Sequence, residues 1–287
     1  MKPHDFSFDA NFAHVDGHNL HYLDEGKGEV VLMVHGNPTW SYYYRNVVRA
    51  LSADYRCIVP DHIGCGMSAK PSAEDYPYTL ERRVSDLDEL MERLAPTGTV
   101  HLVLHDWGGM IGMAWAARHA ARIGRIVVLN TAAFPLPESK PFPWPLALCR
   151  SPLGGFIIEH FNGFARVASR VAFKKSVPTE VRQAYVWPYE PKGARVATRR
   201  FVEDIPLKPE DPGYDVVAGV EAQLQDFADR EVLVCWGMKD FVFDHHFLAR
   251  WRQHWPQAEV HEYADCGHYI LEDAAPEIIE KIRGFFP

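Results

Sequence analysis

Apolar residues along this chain follow two rhythms. Short, mainly apolar runs recur at 30–34, 55–59, 100–104, 126–129 and 232–236, with a weaker one at 260–263. Runs of this length, rich in Val, Ile and Leu, predict strands buried on both faces of a parallel sheet. Between them, apolar residues spaced three and four apart predict helices over 42–51, 79–94, 110–119, 245–254 and 276–285. Thr79 is a candidate N-cap for the second of these, with Val84, Leu87, Leu90, Met91 and Leu94 along one side. An alternating pair at 11–15 and 18–23, joined by Asp16-Gly17, predicts a hairpin ahead of the sheet and brings the strands to eight.

The alternation of strand and helix breaks once. After 131 the prolines 135, 137, 141, 143 and 145 cluster among Phe134, Phe142 and Trp144, and helical pieces are expected near 155–173 and 179–185. The reading is an α/β core, 1–130 and 214–287, interrupted by a mainly helical cap over 131–213. Loops that follow parallel strands emerge on one edge of a sheet, so the cap is expected to close over that edge as a lid.

A chain of 287 residues with 47% hydrophobic types suits one large domain carrying such an insertion. A net charge of −8 with no basic run speaks against a nucleic-acid partner. Five cysteines without a C-x-x-C pair argue against a disulfide framework or a zinc ribbon. The opening Met1-Lys2-Pro3-His4-Asp5 lacks the apolar stretch of a signal peptide. No apolar run approaches the roughly 20 residues that span a bilayer. The expected setting is a reducing cytoplasm. Nucleotide-binding and metal-binding motifs are missing, so no metal and no organic cofactor is expected.

The chemistry gathers at predicted strand ends. The run 100–104 leads into His105-Asp106-Trp107-Gly108-Gly109, a strand, a sharp turn and a helix start. Hydrolases with a nucleophile on such a turn usually carry serine there; here the residue is Asp106. A carboxylate is already an anion, attacks as it stands and leaves an ester on the enzyme. That removes ordinary esterases and points to carbon–halogen, epoxide or strained-ring electrophiles. The plainer reading of Asp106 is a helix cap. His268, in Asp265-Cys266-Gly267-His268 after the last strand, is the candidate base, chosen among 15 histidines by position. Asp240, just past the 232–236 strand, is the candidate that orients it, with Asp244 as competitor and candidate cap of the next helix. The loop Asn130-Thr131-Ala132-Ala133 offers no carboxylate. His35-Gly36-Asn37-Pro38 follows the 30–34 strand, and the backbone N–H groups of Asn37 and Trp107 are the expected anion hole. The Asn37 side-chain amide and the Trp107 indole N–H are two further donors. His105 is expected to point away from the site, and His35 and His101 to be structural.

With these residues placed, the chain resembles the haloalkane dehalogenase group of α/β-hydrolases over essentially its whole length. H-G-N-P-T-W-S at 35–41 with Arg45, D-H-I-G-C-G-M-S at 61–68, H-D-W-G-G at 105–109 and D-I-P-L at 204–207 carry the likeness. Asp106, Asp240, His268 and the pair Asn37 plus Trp107 match the pattern of its third subfamily. The 61–68 loop, N-x-F-A-R at 162–166 and W-G-M-K-D-F-V-F-D at 236–244 look most like the β-lactone decarboxylases of bacterial long-chain olefin biosynthesis. The resemblance implies an α/β-hydrolase fold: a mostly parallel eight-stranded sheet with a helical cap. It implies decarboxylation of long-chain cis-β-lactones to cis-olefins and CO2, with haloalkane dehalogenation as the alternative. It further implies a small hydrophobic substrate and assembly with other olefin-pathway enzymes. Epoxide hydrolases usually carry an aromatic where Asn37 stands, although Tyr185 and Tyr189 in the cap could act as their proton donors. Fluoroacetate dehalogenases need a basic pocket, which arginines of the cap would have to supply.

Overall fold

The computed structural model describes residues 3–286, so the first two residues of the opening stretch and Pro287 lie outside it. Eight strands make one sheet: β1 (Asn11–Val15), β2 (His18–Glu25), β3 (Val30–Val34), β4 (Arg56–Pro60), β5 (Val100–Asp106), β6 (Ile123–Thr131), β7 (Val232–Gly237) and β8 (Glu259–Tyr263). Their order is β1-β2-β4-β3-β5-β6-β7-β8. From β4 onward all neighbours run parallel, and the β1–β2 hairpin joins β4 antiparallel. The helices are α1 (Arg45–Leu51), α2 (Leu80–Leu94), α3 (Trp107–Arg118), α4 (Trp144–Arg150), α5 (Pro152–Phe161), α6 (Gly163–Val171), α7 (Thr179–Val186), α8 (Val196–Glu203), α9 (Tyr214–Gln223), α10 (His245–His254), α11 (Ile270–Asp273) and α12 (Ala275–Phe285).

Successive side chains of a strand point to opposite faces, so the buried runs feed two cores. Val30, Leu32 and Val34 of β3 join Leu102, Leu104 and the buried sides of α2 and α3. Val31 and Met33 join Val103, Val127 and the buried sides of α1 and α12. The edge strand β8 has no buried residue: Glu259 and Glu262 are exposed and the other three are half-buried. Helix α2 runs as its spacing predicts, and the Thr79 hydroxyl accepts the Arg82 N–H at 3.3 Å.

Between β6 and β7 the described residues form only helices. Here the structure departs from the sequence reading in detail. The single piece expected near 155–173 is two helices, because Asn162 adopts a left-handed conformation (φ 56°) and turns the chain between α5 and α6. Helix α4 starts inside the proline cluster, with Pro145 in its first turn. A proline costs little there, since first-turn N–H groups lack a helical acceptor in any case. Helices α8 and α9 were not anticipated. Helix α9 packs against α3 and so belongs with the sheet. No helix among the described residues is long and apolar enough to cross a membrane.

Candidate active site

Strands β3, β5, β7 and β8 are parallel, so the loops that follow them share one edge of the sheet. After β3 the chain goes to β4 on one side and returns to β5 on the other. This reversal opens a crevice between the loops after β3 and β5, the usual ligand position in such sheets. Asn37 and Asp106 face each other across it. Asp106 ends β5, α3 begins at the next residue, and the turn is made by φ 52° and ψ −127° at Asp106 itself. For a residue other than glycine that conformation costs on the order of 1–3 kcal/mol and holds the side chain clear of the sheet. Two glycines make room. A Cβ at Gly108 would lie 1.9 Å from the Val34 carbonyl oxygen, and one at Gly36 would lie 1.9 Å from Asp106 Oδ1.

The five residues singled out in the sequence meet here. Asp106 Oδ2 stands 3.4 Å from His268 Nε2. His268 Nδ1 is 2.7 Å from Asp240 Oδ2. The other Asp240 oxygen accepts the Val242 and Phe243 N–H groups at 2.8 and 3.2 Å, which fixes the carboxylate toward the imidazole. Asp244, the competitor, caps α10 instead and binds Lys140 at 2.6 Å.

The anion hole differs from expectation. The Asn37 backbone N–H already donates to Asp106 Oδ1 at 2.6 Å, because Gly36 lets the loop press against the carboxylate. One Asn37 side-chain N–H is also engaged, by the Thr198 carbonyl at 3.1 Å. An amide nitrogen carries a second proton, which leaves one donor at this position. Trp107 lines the pocket, and its indole N–H meets no acceptor among the described residues.

The charges are set by competition. Burial opposes a charged His268, but the Asp240 charge, hydrogen bonds to Asp106 and Asp240, and the Asp106 charge outweigh it and push its pKa up to about 10. Burial also opposes the Asp106 anion. The hydrogen bond and charge of His268, with His105 and the Asn37 N–H, overcome it and hold the carboxyl below its ordinary value. The resting site is therefore a carboxylate beside an imidazolium. His105 behaves oppositely. Burial first, then the neighbouring His268 charge, lower its pKa to about 3, so it stays neutral.

The pocket above this floor has a volume of about 380 Å³, within the usual range for small-molecule sites. Phe134, Leu146, Ile158, Phe164, Ala168 and Val202 stand in its walls. Among the described lining residues, Lys140 is the only charge besides Asp106 and His268, and its ammonium is neutralised by Asp244. Among the described residues no arginine lines the pocket. The two candidate epoxide proton donors turn elsewhere: Tyr185 donates to Glu272 at 2.6 Å, Tyr189 to the Thr39 carbonyl at 3.4 Å, and neither reaches the pocket. Among the described residues two side-chain groups are close enough to share a cation, Asp244–His245–His246 and Asp88–Glu92–His119, and neither opens on the pocket.

Three supporting residues escaped the sequence reading. His105 does avoid the pocket, but its Nε2–H donates to the His268 carbonyl at 2.8 Å and steadies that loop. Asn130 gives its amide N–H groups to the Gly237 and Phe243 carbonyls (3.1 and 3.3 Å) and accepts the Gly237 N–H at 2.7 Å, so it braces the turn carrying Asp240. Asp273 accepts the N–H groups of Gly267, Lys174 and Lys175, joining the His268 loop to the segment that follows α6. The signal for Asn130 was available: a polar residue at the end of a buried strand, beside the place where a carboxylate was sought.

Known proteins place this geometry in context. A family model for the alpha/beta hydrolase fold matches residues 29–275. The cis-3-alkyl-4-alkyloxetan-2-one decarboxylase of Shewanella oneidensis is 52% identical over 280 residues, 97% of this chain and 88% of that protein. Its namesake in Xanthomonas campestris pv. campestris is 48% identical over 274 residues, 93% of this chain and 91% of that protein. The crystal structure of a putative ancestral haloalkane dehalogenase superposes with a TM-score of 0.86 at 25% identity, covering 96% of this chain and 97% of the other.

Proposed function

The chain belongs to the α/β-hydrolase fold family, and from that premise we propose that it converts cis-3,4-dialkyl β-lactones to cis-olefins and carbon dioxide. The observation that carries this reading is near-full-length likeness to two decarboxylases named for that ring. The pocket suits the substrate, since apolar walls meet two alkyl chains and the only free polarity lies at the floor. The helices between β6 and β7 act as the cap.

Asp106 is the nucleophile. Its carboxylate attacks C4, the alkyl-bearing ring carbon bonded to the ring oxygen, an ester to Asp106 forms, and the bond from C4 to the ring oxygen breaks. The group expelled is the substrate's own carboxylate. The remaining Asn37 amide proton, the Trp107 indole N–H and the His268 imidazolium are the donors that receive it. Asp240 orients His268 and sustains its charge. Loss of CO2 then breaks the bond between the ring carbons C2 and C3. Its electron pair forms the alkene, and Asp106 departs as carboxylate. Inversion in the first step and anti departure in the second turn a cis ring into a cis alkene. No water enters, so a resting imidazolium at His268, which is no base, fits this sequence of steps.

Haloalkane dehalogenation stands second, supported by the fold likeness and the Asn37–Trp107 pair. It needs neutral His268 to activate water once Asp106 is alkylated, and alkylation removes one of the charges that hold the proton. The decarboxylase reading also carries two finer expectations, a cytoplasmic setting and assembly with other enzymes of the olefin pathway.

Incubation of the purified protein with a cis-dialkyl β-lactone in ¹⁸O-labelled water tests the choice. Equal yields of cis-alkene and CO2, without labelled hydroxy acid, are expected. No alkene at high enzyme concentration overturns the reading, and bromide release from a bromoalkane at the rate of lactone turnover favours the second.

A further inference from the structure

Eleven large apolar side chains are exposed among the described residues, and eight of them lie in α4–α6. They fall into two groups. Trp144, Leu148, Ile157, Val167 and Val171 are exposed and also line the pocket, so they form its rim. Leu153, Phe156 and Phe161 do not line the pocket and continue the apolar surface outward along α5 from Ile157. Helix α4 packs against α5 and α5 against α6, which makes the three helices one face. Trp144 is 76% exposed, an expensive position for an indole in water. Contiguous apolar surface on this scale marks an interaction site.

The charge around this face indicates what covers it. Residues 144–175 hold five cations, Arg150, Arg166, Arg170, Lys174 and Lys175, and a single carboxylate, Glu159, in a chain of net charge −8. Glu159 is paired with Arg199 and Arg166 with Glu190. Arg170, Lys174 and Lys175 are exposed and make no ion pair among the described residues. Exposed aromatic and aliphatic side chains beside unpaired cations, on short helices that do not span, are the composition of a surface lying in the interface of an anionic bilayer.

We propose that the α4–α6 face docks on the surface of an anionic lipid bilayer, with the pocket rim against the acyl region. Trp144, Phe156 and Phe161 enter the headgroup boundary, and Arg170, Lys174 and Lys175 meet lipid phosphates. An alkyl chain dissolved in the membrane then passes into the pocket along the rim without exposing its methylenes to water. The surface rests on exposure and charge, not on the identity of the reaction.

The full-length protein is co-sedimented with vesicles of phosphatidylglycerol and phosphatidylcholine, with no substrate present, so the outcome is independent of the lactone reading. Binding is expected to rise with the phosphatidylglycerol fraction and to fall with salt. The variant Leu153→Ser/Phe156→Ser/Phe161→Ser should bind about tenfold more weakly or worse, yet turn over a short-chain soluble lactone at the wild-type rate. Arg170→Glu/Lys174→Glu/Lys175→Glu should abolish the preference for anionic vesicles. Three results overturn the proposal: no vesicle binding, equal binding to neutral and anionic vesicles, or self-association of the wild type that the triple serine variant abolishes while vesicle binding is unchanged. The last would make the face an interface between two copies of the chain.

Discussion

At the carboxyl edge of the sheet, the side chains around Asp106 are tied to backbone. Asn37 N–H holds Asp106, two N–H groups hold Asp240, and His105 and Asp273 hold the loop of His268. In α4–α6, the side chains that meet the same cavity are apolar and make contact without direction. The first region fixes atoms to within a hydrogen bond, and the second fixes only volume. Chemistry that depends on ångström placement is therefore confined to strand ends, while substrate choice is left to helices that can vary without disturbing it. If this division holds, a change of a few atoms at the floor costs orders of magnitude, and a change of several atoms in the walls costs little.

The largest effect is expected from Asp106→Asn. The amide keeps an acceptor for the Asn37 N–H but has no anion to attack with. Turnover should fall about 10⁴-fold or more, the scale seen when a nucleophile is removed, with little change in thermal midpoint or far-ultraviolet circular dichroism. The Asp106 side chain makes no capping hydrogen bond to α3, and more than a tenth of wild-type activity would show that it is not the nucleophile.

The charge state of the floor sets the next effect. His268 is pushed up to about 10, against burial, by Asp240 and Asp106, so its imidazolium persists at lower pH and is lost as pH rises through that value. The Asp106 carboxyl is held below its ordinary value, against burial, chiefly by His268, so its anion is lost only as pH falls below the usual carboxylate range. Single-turnover rates should thus stay level across neutral pH. Asp240→Asn keeps acceptors for the Val242 and Phe243 N–H groups but removes a charge supporting His268. Its alkaline limb should move down toward the ordinary histidine value near 6.5, with a loss on the order of ten- to hundredfold at pH 8.5. An unmoved limb would mean that the imidazolium plays no part in the step.

The same contrast explains what could be read from sequence. The meeting of Asp106, His268 and Asp240 was legible because each follows a strand, and parallel strands of one sheet must bring such ends together. Thr79 was legible because a cap acts within its own turn. Asn130 stood out as a polar residue at a strand end, but its bracing partners and that of His105 were not legible, since Gly237, Phe243 and the His268 carbonyl lie more than a hundred residues away. The donor role of Asn37 was only partly legible, because its backbone N–H is drawn to Asp106 by a contact that Gly36 permits in three dimensions. Between β6 and β7, Pro145 and Asn162 mark the start of one helix and the break between two others, and neither event leaves the periodic trace that identified α2.

The smallest effects should come from the walls. For a series of β-lactones of increasing chain length, each methylene placed in the pocket is worth about 0.8 kcal/mol, or roughly fourfold in kcat/KM. The gain should stop where the chain passes Trp144 and Leu148 at the rim. Ala168→Leu adds three carbons to the wall and should shorten the preferred chain, while the shortest substrates stay within about threefold of wild type, below the roughly 1 kcal/mol expected for a methyl-sized change. The pH limbs should not move in this variant. If Ala168→Leu slowed short and long substrates alike, or displaced the limb set by His268, the walls would be positioning the reacting atoms as well as measuring the chain, and floor and walls would be one device rather than two.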